Sequence, residues 1–336
     1  MKKTRVLTGI TTTGTPHLGN YVGAIRPAVK ASHNNNIDSF FFLANYHGLI
    51  KNNSKDRLKE STMEVAASWL ALGLNTENAI FYRQSDIPEI PELAWLLTCV
   101  TAKGLMNRAH AYKSIVQNNV SNKEDPDYGI TMGLFSYPIL MAADILLFNA
   151  SAIPVGRDQI QHVEMARDIA QRFNHIYGKV FDLPRAEIED NSQILQGLDG
   201  RKMSKSYNNT IQIFSSEKKL KKDINKIQTN LLEPGEPKDT DSSSVFQIWK
   251  AFADKPAIRE MENNFKTGIG WGEAKQQLFE LINAELEQPR EKYQQLMSNP
   301  EEIEQTLMEG ASKARKISKA FMREIRDRVG IKPLLK

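Results

Sequence analysis

The chain has 336 residues, of which 40% are hydrophobic, and a formal net charge of +4. These values are typical of a globular protein and allow two domains of roughly 100 to 200 residues each. Cys99 is the only cysteine, which excludes an intrachain disulfide, a zinc site built from several thiolates and a two-cysteine redox motif. We expect a reducing, cytoplasmic setting, with no export signal and no membrane span, because no apolar run reaches the ~20 residues of a membrane helix.

The first half of the chain alternates between strand-like and helix-like segments. RVLTGI, SFFFLAN and AIFYRQ are short runs rich in β-branched and aromatic residues, and each precedes a helical stretch. This alternation predicts an α/β fold with a parallel sheet. The predicted helices cover residues 21–33, 54–72, 91–100 and 161–178, and a further helix begins near Pro138.

The composition changes from Lys218 onward, where long, charged stretches carry hydrophobic residues at helical spacing. Leu278, Leu281, Ile282 and Leu286 recur at helical spacing, and the polar joint EPGEPKDTDSSS lies at 233–244. These features predict a mostly helical C-terminal domain.

The first candidate site is the loop GITTTGTPHLGN, which joins the first strand to a helix. Ligands of parallel sheets bind beyond the carboxyl ends of strands, where a helix N-terminus offers free N–H groups to phosphate. Gly9, Gly14 and Gly19 allow close approach of a ligand to the backbone, and His17 and Asn20 are candidate donors to phosphate oxygens. A glycine-rich loop with one histidine is a weak signal by itself.

The second candidate site is the loop GRKMSKSYNN, residues 200–209, which carries two lysines, two serines and a methionine. Together, PHLGN and KMSKS resemble the HIGH and KMSKS signatures of class I aminoacyl-tRNA synthetases. The resemblance implies that Lys202 and Lys205 gather a triphosphate as a flexible loop closes and stabilise charge on departing pyrophosphate. The flanking glycine and asparagines would suit such flexibility. The alternative is a basic surface loop.

A third segment, FSYPILMAADILLFNA, carries Asp144 among apolar residues. Burial of a carboxylate is costly without a partner, and this run contains no basic residue. An ionised carboxylate only accepts hydrogen bonds and an indole N–H only donates, so the two groups match. The segment therefore predicts an apolar pocket with one acceptor, unless Asp144 faces solvent.

YPILMAADIL resembles the specificity helix of bacterial-type tryptophanyl-tRNA synthetases, and VGRDQIQHVEMARDIAQRFN resembles the segment that follows it in that family. The resemblance covers most of the chain and implies a Rossmann-like catalytic domain over 1–212, with a helical insertion that carries the specificity helix, and a helical, tRNA anticodon-binding domain over 213–336. It implies that Asp144 accepts the indole N–H. The remaining tryptophan-site residues that it implies are Leu7, His47, Tyr137, Met141 and Gln159.

The same resemblance assigns the ATP site and the catalytic groups. The catalytic residues would be His17, Asn20, Lys113, Lys202 and Lys205. The ATP site would comprise Thr11, Thr12, Thr13, Gly19, Asn20, Gly156, Arg157, Asp158, Ile194, Lys202, Met203, Ser204, Lys205 and Ser206, with Mg²⁺ held by ATP and not by the protein. The chain departs from the common bacterial pattern at Thr11, Thr12, Thr13, His17 and Arg157, which leaves open how ATP and the substrate carboxylate are held.

The implied reaction has two steps. Tryptophan attacks the α-phosphate of Mg-ATP to give tryptophanyl-adenylate and pyrophosphate, and the acyl group then passes to tRNA(Trp). No side-chain nucleophile is required, so positioning and charge stabilisation would supply the catalysis. The family also implies a homodimer.

Two other functions stay open at this stage. A tyrosyl-tRNA synthetase shares the fold and both signatures, and an aspartate also accepts a hydrogen bond from a phenol. A paralogue that binds RNA without aminoacylating is the second alternative, although both loop lysines are present.

The helix ASKARKISKAFMREIRDRVG near the end of the sequence is strongly basic. It could contact tRNA phosphates through its basic residues, which are Lys313, Arg315, Lys316, Lys319 and Arg323. It could also pack on its own domain through its apolar residues, which are Ala314, Ile317, Phe321 and Ile325, and the two roles are compatible.

Overall fold

The computed structural model describes residues 3–12, 14–50, 54–188 and 195–332, except the side chain of Asp158. Five strands in these ranges form one parallel sheet with the order β3-β2-β1-β4-β5. The strands are β1 (Thr4–Ile10), β2 (Ile37–Leu43), β3 (Ile80–Arg83), β4 (Ala152–Val155) and β5 (Arg185–Ile188). The predicted parallel sheet is confirmed, and β4 and β5 add two strands that the sequence patterns did not reveal.

Helices connect the strands and, together with loops, make up the described part of the chain after residue 212. The α-helices are α1 (Leu18–Asn20), α2 (Arg26–Ser32), α3 (Asn45–Gly48), α4 (Lys55–Ala71), α5 (Glu89–Val100), α6 (Lys103–Met106), α7 (His110–Ser121), α8 (Met132–Leu146), α9 (Ile160–Tyr177), α10 (Glu217–Asn225), α11 (Ser244–Phe252), α12 (Lys255–Lys266), α13 (Trp271–Ser298) and α14 (Pro300–Val329). A π-helical turn, Tyr21–Ile25, joins α1 to α2, and 3₁₀ turns lie at Gln84–Asp86, Arg157–Gln159 and Lys205–Tyr207. None of the helices in the described ranges combines the length and apolar character that a membrane crossing needs.

The helix of the specificity segment begins earlier than predicted. The expected start near Pro138 is wrong, because α8 begins at Met132, where the side chain of Thr131 accepts the N–H of Leu134 as an N-cap. Pro138 lies inside the helix and cannot donate a backbone hydrogen bond one turn back. Asp144 therefore lies near the end of α8, deep among apolar side chains.

Other predicted helix boundaries agree closely with the structure. Ser54 caps α4 by accepting the N–H of Arg57, and Gly73 follows its end with φ +92°. The helix predicted over 91–100 begins at Glu89, and the helix over 161–178 is α9. The helix over 21–33 is the π-helical turn continued by α2.

Two apolar layers cover the two faces of the sheet. Phe41 and Phe81 point to one layer, formed with α4 and the helices α10, α11 and α13. Phe40, Phe42 and Tyr82 point to the other, formed with α5, α8, α9 and the second half of α14. This alternation follows from the period of two along a strand, and burial of each aromatic ring contributes roughly 2 kcal/mol.

The helices after residue 212 pack directly on the sheet region. α13 packs on α4, and α14 crosses β3, where Gly310 approaches the backbone of Phe81 so closely that a Cβ atom would lie 1.7 Å from its carbonyl oxygen. Of the basic helix, Ala314 and Ile325 are buried and Ile317 and Phe321 are partly buried, so the predicted packing is confirmed. The domain division at 212/213 stays a prediction.

Candidate active site

The predicted site residues lie at the point where the strand order of the sheet reverses. The chain runs outward from β1 through β2 to β3, and then returns to β4 on the other side of β1. A crevice at the carboxyl ends of the two strands that flank such a reversal is the usual ligand position in open parallel sheets. Thr11 and Thr12 follow the end of β1, and Gly156, Arg157 and Gln159 follow the end of β4.

His17 and Asn20 bond to each other at the start of α1. The Asn20 N–H donates to His17 Nδ1 (3.3 Å), and the His17 N–H donates to Asn20 Oδ1 (3.2 Å). This is a reciprocal capping arrangement, and it leaves Nε2 of His17 to carry the ring proton. Burial and the charge of Lys205 lower the pKa of His17 to about 4, so the ring is neutral near pH 7.

The two signature loops are neighbours in the fold although they lie far apart in the sequence. The Leu18 N–H donates to the carbonyl of Ile211 (2.9 Å), and the Ile213 N–H donates to the carbonyl of Pro16 (3.4 Å). These two bonds flank a β-bridge between His17 and Gln212. The backbone immediately after the KMSKS segment is thereby fixed beside the helix start that carries His17.

Asn209 organises the KMSKS loop from within. Its side chain is buried, accepts the N–H of Ser204 (2.8 Å) and donates to Asp199 Oδ1 (2.6 Å) and to the Lys202 carbonyl (3.2 Å). Met203 is also buried, in the apolar layer. Asn209 therefore stabilises this conformation of the loop, on whose surface Lys202 and Lys205 lie, and the expected loop flexibility stays a prediction.

The ammonium of Lys205 and the guanidinium of Arg57 converge on Gly14 in the first loop. A Cβ atom built on Gly14 would lie 2.6 Å from Nη2 of Arg57 and 3.6 Å from Nζ of Lys205. Gly14 also has φ +93°, so a side chain there is excluded by conformation as well as by space. Partial burial lowers the pKa of Lys205, Glu64 opposes that shift and Arg57 adds to it.

The first loop also contains a buried hydroxyl, which lies beside Gly48. Thr12 is 2% exposed, and its Oγ1 has no hydrogen-bond partner among the described residues. A buried hydroxyl without a partner costs roughly 1–3 kcal/mol. The converging cations of Arg57 and Lys205 make the space beside Gly14 suitable for a triphosphate.

Asp144 is completely buried and has protein donors on both carboxylate oxygens. Gln84 Nε2 donates to Oδ1 (2.8 Å) and Oδ2 (2.9 Å), and Nε2 of His47 bonds to Oδ2 (3.0 Å). Burial raises the pKa of Asp144, and the bonds from His47 and Gln84 oppose that shift. The expectation that burial of Asp144 requires a partner is confirmed, and the surface-facing alternative is excluded.

A second polar chain lies next to this carboxylate. The rings of His47 and Tyr137 meet edge to face with centroids 6.3 Å apart. The hydroxyl of Tyr137 bonds to Nε2 of His162 (2.8 Å), and Nδ1 of His162 bonds to Oε1 of Gln159 (2.9 Å). Because the Gln159 oxygen is an acceptor, Nδ1 of His162 donates and Nε2 accepts the hydroxyl proton. Tyr137 and Gln159, both predicted for the tryptophan site, are thus linked through His162, which the sequence reasoning missed.

The remaining predicted residues differ in how closely they join these networks. Leu7 is buried in the apolar layer that also contains Ile139 and Ala143 of α8, and Met141 packs against it. Lys113 is exposed on α7 and makes no hydrogen bond or ion pair with another predicted site residue in the described part of the chain. Ser204 and Ser206 bond to each other through their hydroxyls (2.8 Å). Thr13, Ile194 and the side chain of Asp158 lie outside the described residues.

Sequence reasoning missed several residues of the site because no motif assigns them a function. Gln84, Arg57 and Glu64 are polar residues of ordinary helical or turn segments, and His162 lies within VGRDQIQHVEMARDIAQRFN without a role assigned to it there. Gln84 follows the strand AIFYR directly, and position beyond the carboxyl end of a parallel strand could have marked it. The described residues contain no cluster of three or more His, Cys, Asp or Glu side chains suited to a metal ion.

Comparisons with known proteins agree with this geometry. The family model described as tRNA synthetases class I (W and Y) matches residues 1–287. The chain is 59% identical over 335 residues to a protein of Neisseria meningitidis named tryptophan–tRNA ligase, covering 99% of this chain and 100% of the relative. A relative of the same name from Pseudomonas aeruginosa is 60% identical over 98% of this chain and 75% of its own length.

A solved structure extends the likeness to three dimensions. Tryptophanyl-tRNA synthetase from Campylobacter jejuni, complexed with ADP and tryptophan, has a TM-score of 0.88 and 43% identity, covering 97% of this chain and 99% of that one. The family match spans both signature loops, the specificity helix and strands β1 to β5. The chain belongs to the class I aminoacyl-tRNA synthetases of the tryptophan and tyrosine type.

Proposed function

We propose that this protein is a tryptophan–tRNA ligase, which activates L-tryptophan with ATP and transfers it to tRNA(Trp). The observation that carries the proposal is the buried carboxylate of Asp144, which has two donors and lies among apolar side chains of the layer that contains α8. The relatives named tryptophan–tRNA ligase and the tryptophan complex of the Campylobacter jejuni protein support the same substrate. We place the reaction in the cytoplasm, where charged tRNA supplies translation.

The pocket suits an indole because its walls are apolar and its acceptor is charged. In the proposal, the indole N–H donates to Asp144, the ring packs against Met141 and Leu7, and His47 closes one side. The substrate ammonium is held by Tyr137 and Gln159. A site built to take a donor from its substrate rejects analogues that lack the donor, because the acceptor would be left unpaired.

The phosphate side of the site supplies charge stabilisation. In the proposal, Lys202 and Lys205 stabilise negative charge on the pyrophosphate as it leaves. Mg²⁺ enters with ATP, since hard cations in such sites are bound largely through substrate phosphates and water, and it neutralises phosphate charge. The other groups that receive the nucleotide are the loop residues after β1 and β4 and the start of α1: Thr12, Gly14, His17, Gly19, Asn20, Gly156 and Arg157.

Tyrosine is the competing substrate, because the family includes both enzymes and a phenol also donates to a carboxylate. Charging of tRNA with radiolabelled tryptophan and tyrosine, run in parallel, tests the proposal directly. We expect tryptophan to be transferred and tyrosine not. Transfer of tyrosine alone would reassign the pocket, and transfer of neither, with intact folding, would favour a non-catalytic paralogue.

The basic helix α14 is the proposed contact with tRNA. Arg315 and Arg326 are engaged in ion pairs with Glu89 and Glu92, whereas Lys316, Lys319 and Arg323 are exposed. Reversal of these three exposed charges to glutamate should weaken tRNA binding and reduce its salt dependence, because fewer counterions are released. Tryptophan activation should be unaffected. Unchanged affinity and salt slope would contradict this contact.

We also propose a homodimer, as the family resemblance implies. Sedimentation equilibrium of the purified protein would test it. The expected result is twice the mass of one chain, and a single-chain mass at micromolar concentration would contradict it.

A further inference from the structure

Gln84 is buried between the backbone after β2 and the carboxylate of Asp144. It is 0% exposed and belongs to the short turn Gln84–Asp86 that follows β3. Its Oε1 accepts the backbone N–H of Tyr46 (3.0 Å), so the amide cannot turn over without leaving that N–H unpaired. Its Nε2 therefore faces Asp144, at 2.8 and 2.9 Å from the two oxygens.

A second pair of hydrogen bonds fixes the turn that carries Gln84. The side chain of Asn45 donates to Ser85 Oγ (2.8 Å), and the Ser85 N–H donates to Asn45 Oδ1 (3.1 Å). The segments that follow β2 and β3 are joined in this way beside Gln84. Its amide is thus a rigid element that spans from two strand ends to the helix that carries Asp144.

The hydrogen bonds around Asp144 leave room for one more donor. An ionised carboxylate has about four lone-pair directions. Gln84 shares its Nε2 between both oxygens, and His47 uses a second direction on Oδ2. Oδ1 of Asp144 accepts only from Gln84 among the described residues. The Gln84 amide fixes the plane of the carboxylate and therefore the direction of the remaining lone pair on Oδ1.

We propose that Gln84 is a specificity-determining positioning residue, which holds the Asp144 carboxylate in the plane that accepts the indole N–H of tryptophan. The inference rests on the proposed function, since it assigns a new residue to the same pocket. Gln84 acts through Asp144 and needs no contact with the substrate. Without the amide, the carboxylate of Asp144 rotates about its Cβ–Cγ bond. Its oxygen then no longer points at the indole N–H, the donor that distinguishes an indole from other aromatic rings.

Gln84 also affects the charge of that acceptor. The groups that face Asp144 are His47 from α3 and the buried hydroxyl of Tyr82 from β3, which has no hydrogen-bond partner in the described residues. His47 and Gln84 lower the pKa of Asp144 against the effect of burial. Loss of the Gln84 amide therefore raises the pKa of Asp144, so a larger fraction of Asp144 is protonated at a given pH.

Two nearly isosteric variants separate positioning from a purely structural role. In Gln84→Met the amide is lost, so kcat/KM for tryptophan should fall and should recover partly as the pH rises and Asp144 ionises. In Gln84→Glu the new carboxyl group lies beside the Asp144 carboxylate, and the two share a proton. When the new group carries that proton, it donates a hydrogen bond to Asp144, as the glutamine amide does. Its kcat/KM should be highest at acid pH and decline as the pH rises.

The main measurement compares tryptophan with its benzothiophene analogue, in which sulfur replaces the indole N–H, in amino-acid-dependent ATP/pyrophosphate exchange. The ratio of the two kcat/KM values does not depend on the fraction of folded enzyme, so partial misfolding of a variant does not affect it. Wild type should discriminate strongly against the analogue. Gln84→Met should reduce the discrimination roughly tenfold, the effect of one hydrogen bond to a charged group.

Gln247→Met is the matched control, since it removes the same amide from α11, where Gln247 donates to the Thr240 carbonyl and not to Asp144. Its discrimination should equal that of wild type. The inference is overturned if Gln84→Met keeps wild-type discrimination, or if the methionine and glutamate variants share one pH dependence. Absence of tryptophan-dependent exchange in the wild type overturns the proposed function itself, and the inference with it.

Discussion

The two ends of the proposed site differ in whether their charged groups already have hydrogen-bond partners that orient them. Both carboxylate oxygens of Asp144 accept hydrogen bonds within the chain, from Gln84 and His47. A second chain links Tyr137 through His162 to Gln159, while the buried hydroxyl of Tyr82 has no partner in the described residues. Around Gly14, the guanidinium of Arg57 and the ammonium of Lys205 converge. In the proposed function, the carboxylate of Asp144 is therefore oriented before the amino acid binds, whereas the two cations are neutralised by the triphosphate.

This difference matches the chemistry of the two substrates. A small aromatic amino acid is recognised by shape and one directional hydrogen bond, which requires a rigid acceptor. A triphosphate brings several negative charges, so like charges are tolerated in the free enzyme because the ligand neutralises them. Substitutions at the amino-acid end should therefore change substrate choice, and those at the phosphate end should change the rate of activation.

The largest expected effect is that of Asp144→Asn. The asparagine amide would face the donors of Gln84 and His47 and could no longer offer a charged acceptor. We expect kcat/KM for tryptophan in ATP/pyrophosphate exchange to fall about a hundredfold or more, the loss expected for an unpaired donor in a buried site. The KM for ATP should change little. A fall of less than roughly tenfold, the effect of one hydrogen bond to a charged group, would contradict the role of the carboxylate.

Lys205→Ala should give the next largest effect, at the other end. Removal of one charge that stabilises the departing pyrophosphate should lower kcat of exchange about a hundredfold, with little change in the KM for tryptophan. Lys222→Ala, which removes an exposed lysine of α10, is the matched control and should leave kcat unchanged. An equal loss in both variants would indicate a nonspecific effect of charge.

His17 should make the free energy of unfolding depend on pH. Its folded pKa is about 4, below the ordinary value of 6.5, so the unfolded chain binds a proton that the folded chain does not between these values. Its contribution to stability is therefore complete above about pH 6.5 and decreases as the pH falls, by roughly 2 kcal/mol at pH 5. Urea titrations at pH 7.5 and pH 5 should show a smaller loss in His17→Asn, which keeps an acceptor for the Asn20 N–H. Equal losses in variant and wild type would contradict a buried neutral ring.

The smallest effect is expected for Arg57→Ala. Arg57 approaches Gly14 but is half exposed and already paired with Glu60 (2.8 Å). Exposed pairs contribute little, so we expect roughly a threefold rise in the KM for ATP. Glu60→Ala breaks the pair but keeps the cation and should leave this KM unchanged. A lower KM in Arg57→Ala would show that Arg57 opposes ATP binding.

The motifs proposed for the phosphate end are easier to recognise in the sequence than the partners of Asp144. The glycine loop, His17 and the KMSKS lysines are contiguous motifs, and strand-helix alternation indicated that they follow a parallel sheet. The start of α8 was misjudged because proline favours a first helical turn, whereas the hydroxyl of Thr131 caps the helix well before Pro138. Hydrophobic periodicity and motifs do not show which of the two signals, the Thr131 cap or Pro138, determines the start of the helix.

The partners of Asp144 could not be read from the sequence for a different reason. Gln84 is 60 residues from Asp144, and His47 is 97 residues away. Only the order of the strands brings the turn after β3 and the helix after β2 against α8, and strand order follows from long-range packing. The need for a partner was predictable from the cost of a buried carboxylate, but the identity of that partner was not.

The most direct test of the central claim is amino-acid-dependent ATP/pyrophosphate exchange by the purified wild-type protein, with tryptophan and tyrosine measured side by side. The proposed tryptophan specificity predicts exchange with tryptophan and none above background with tyrosine. Exchange that depends on tyrosine, or equal exchange with both amino acids, would contradict it.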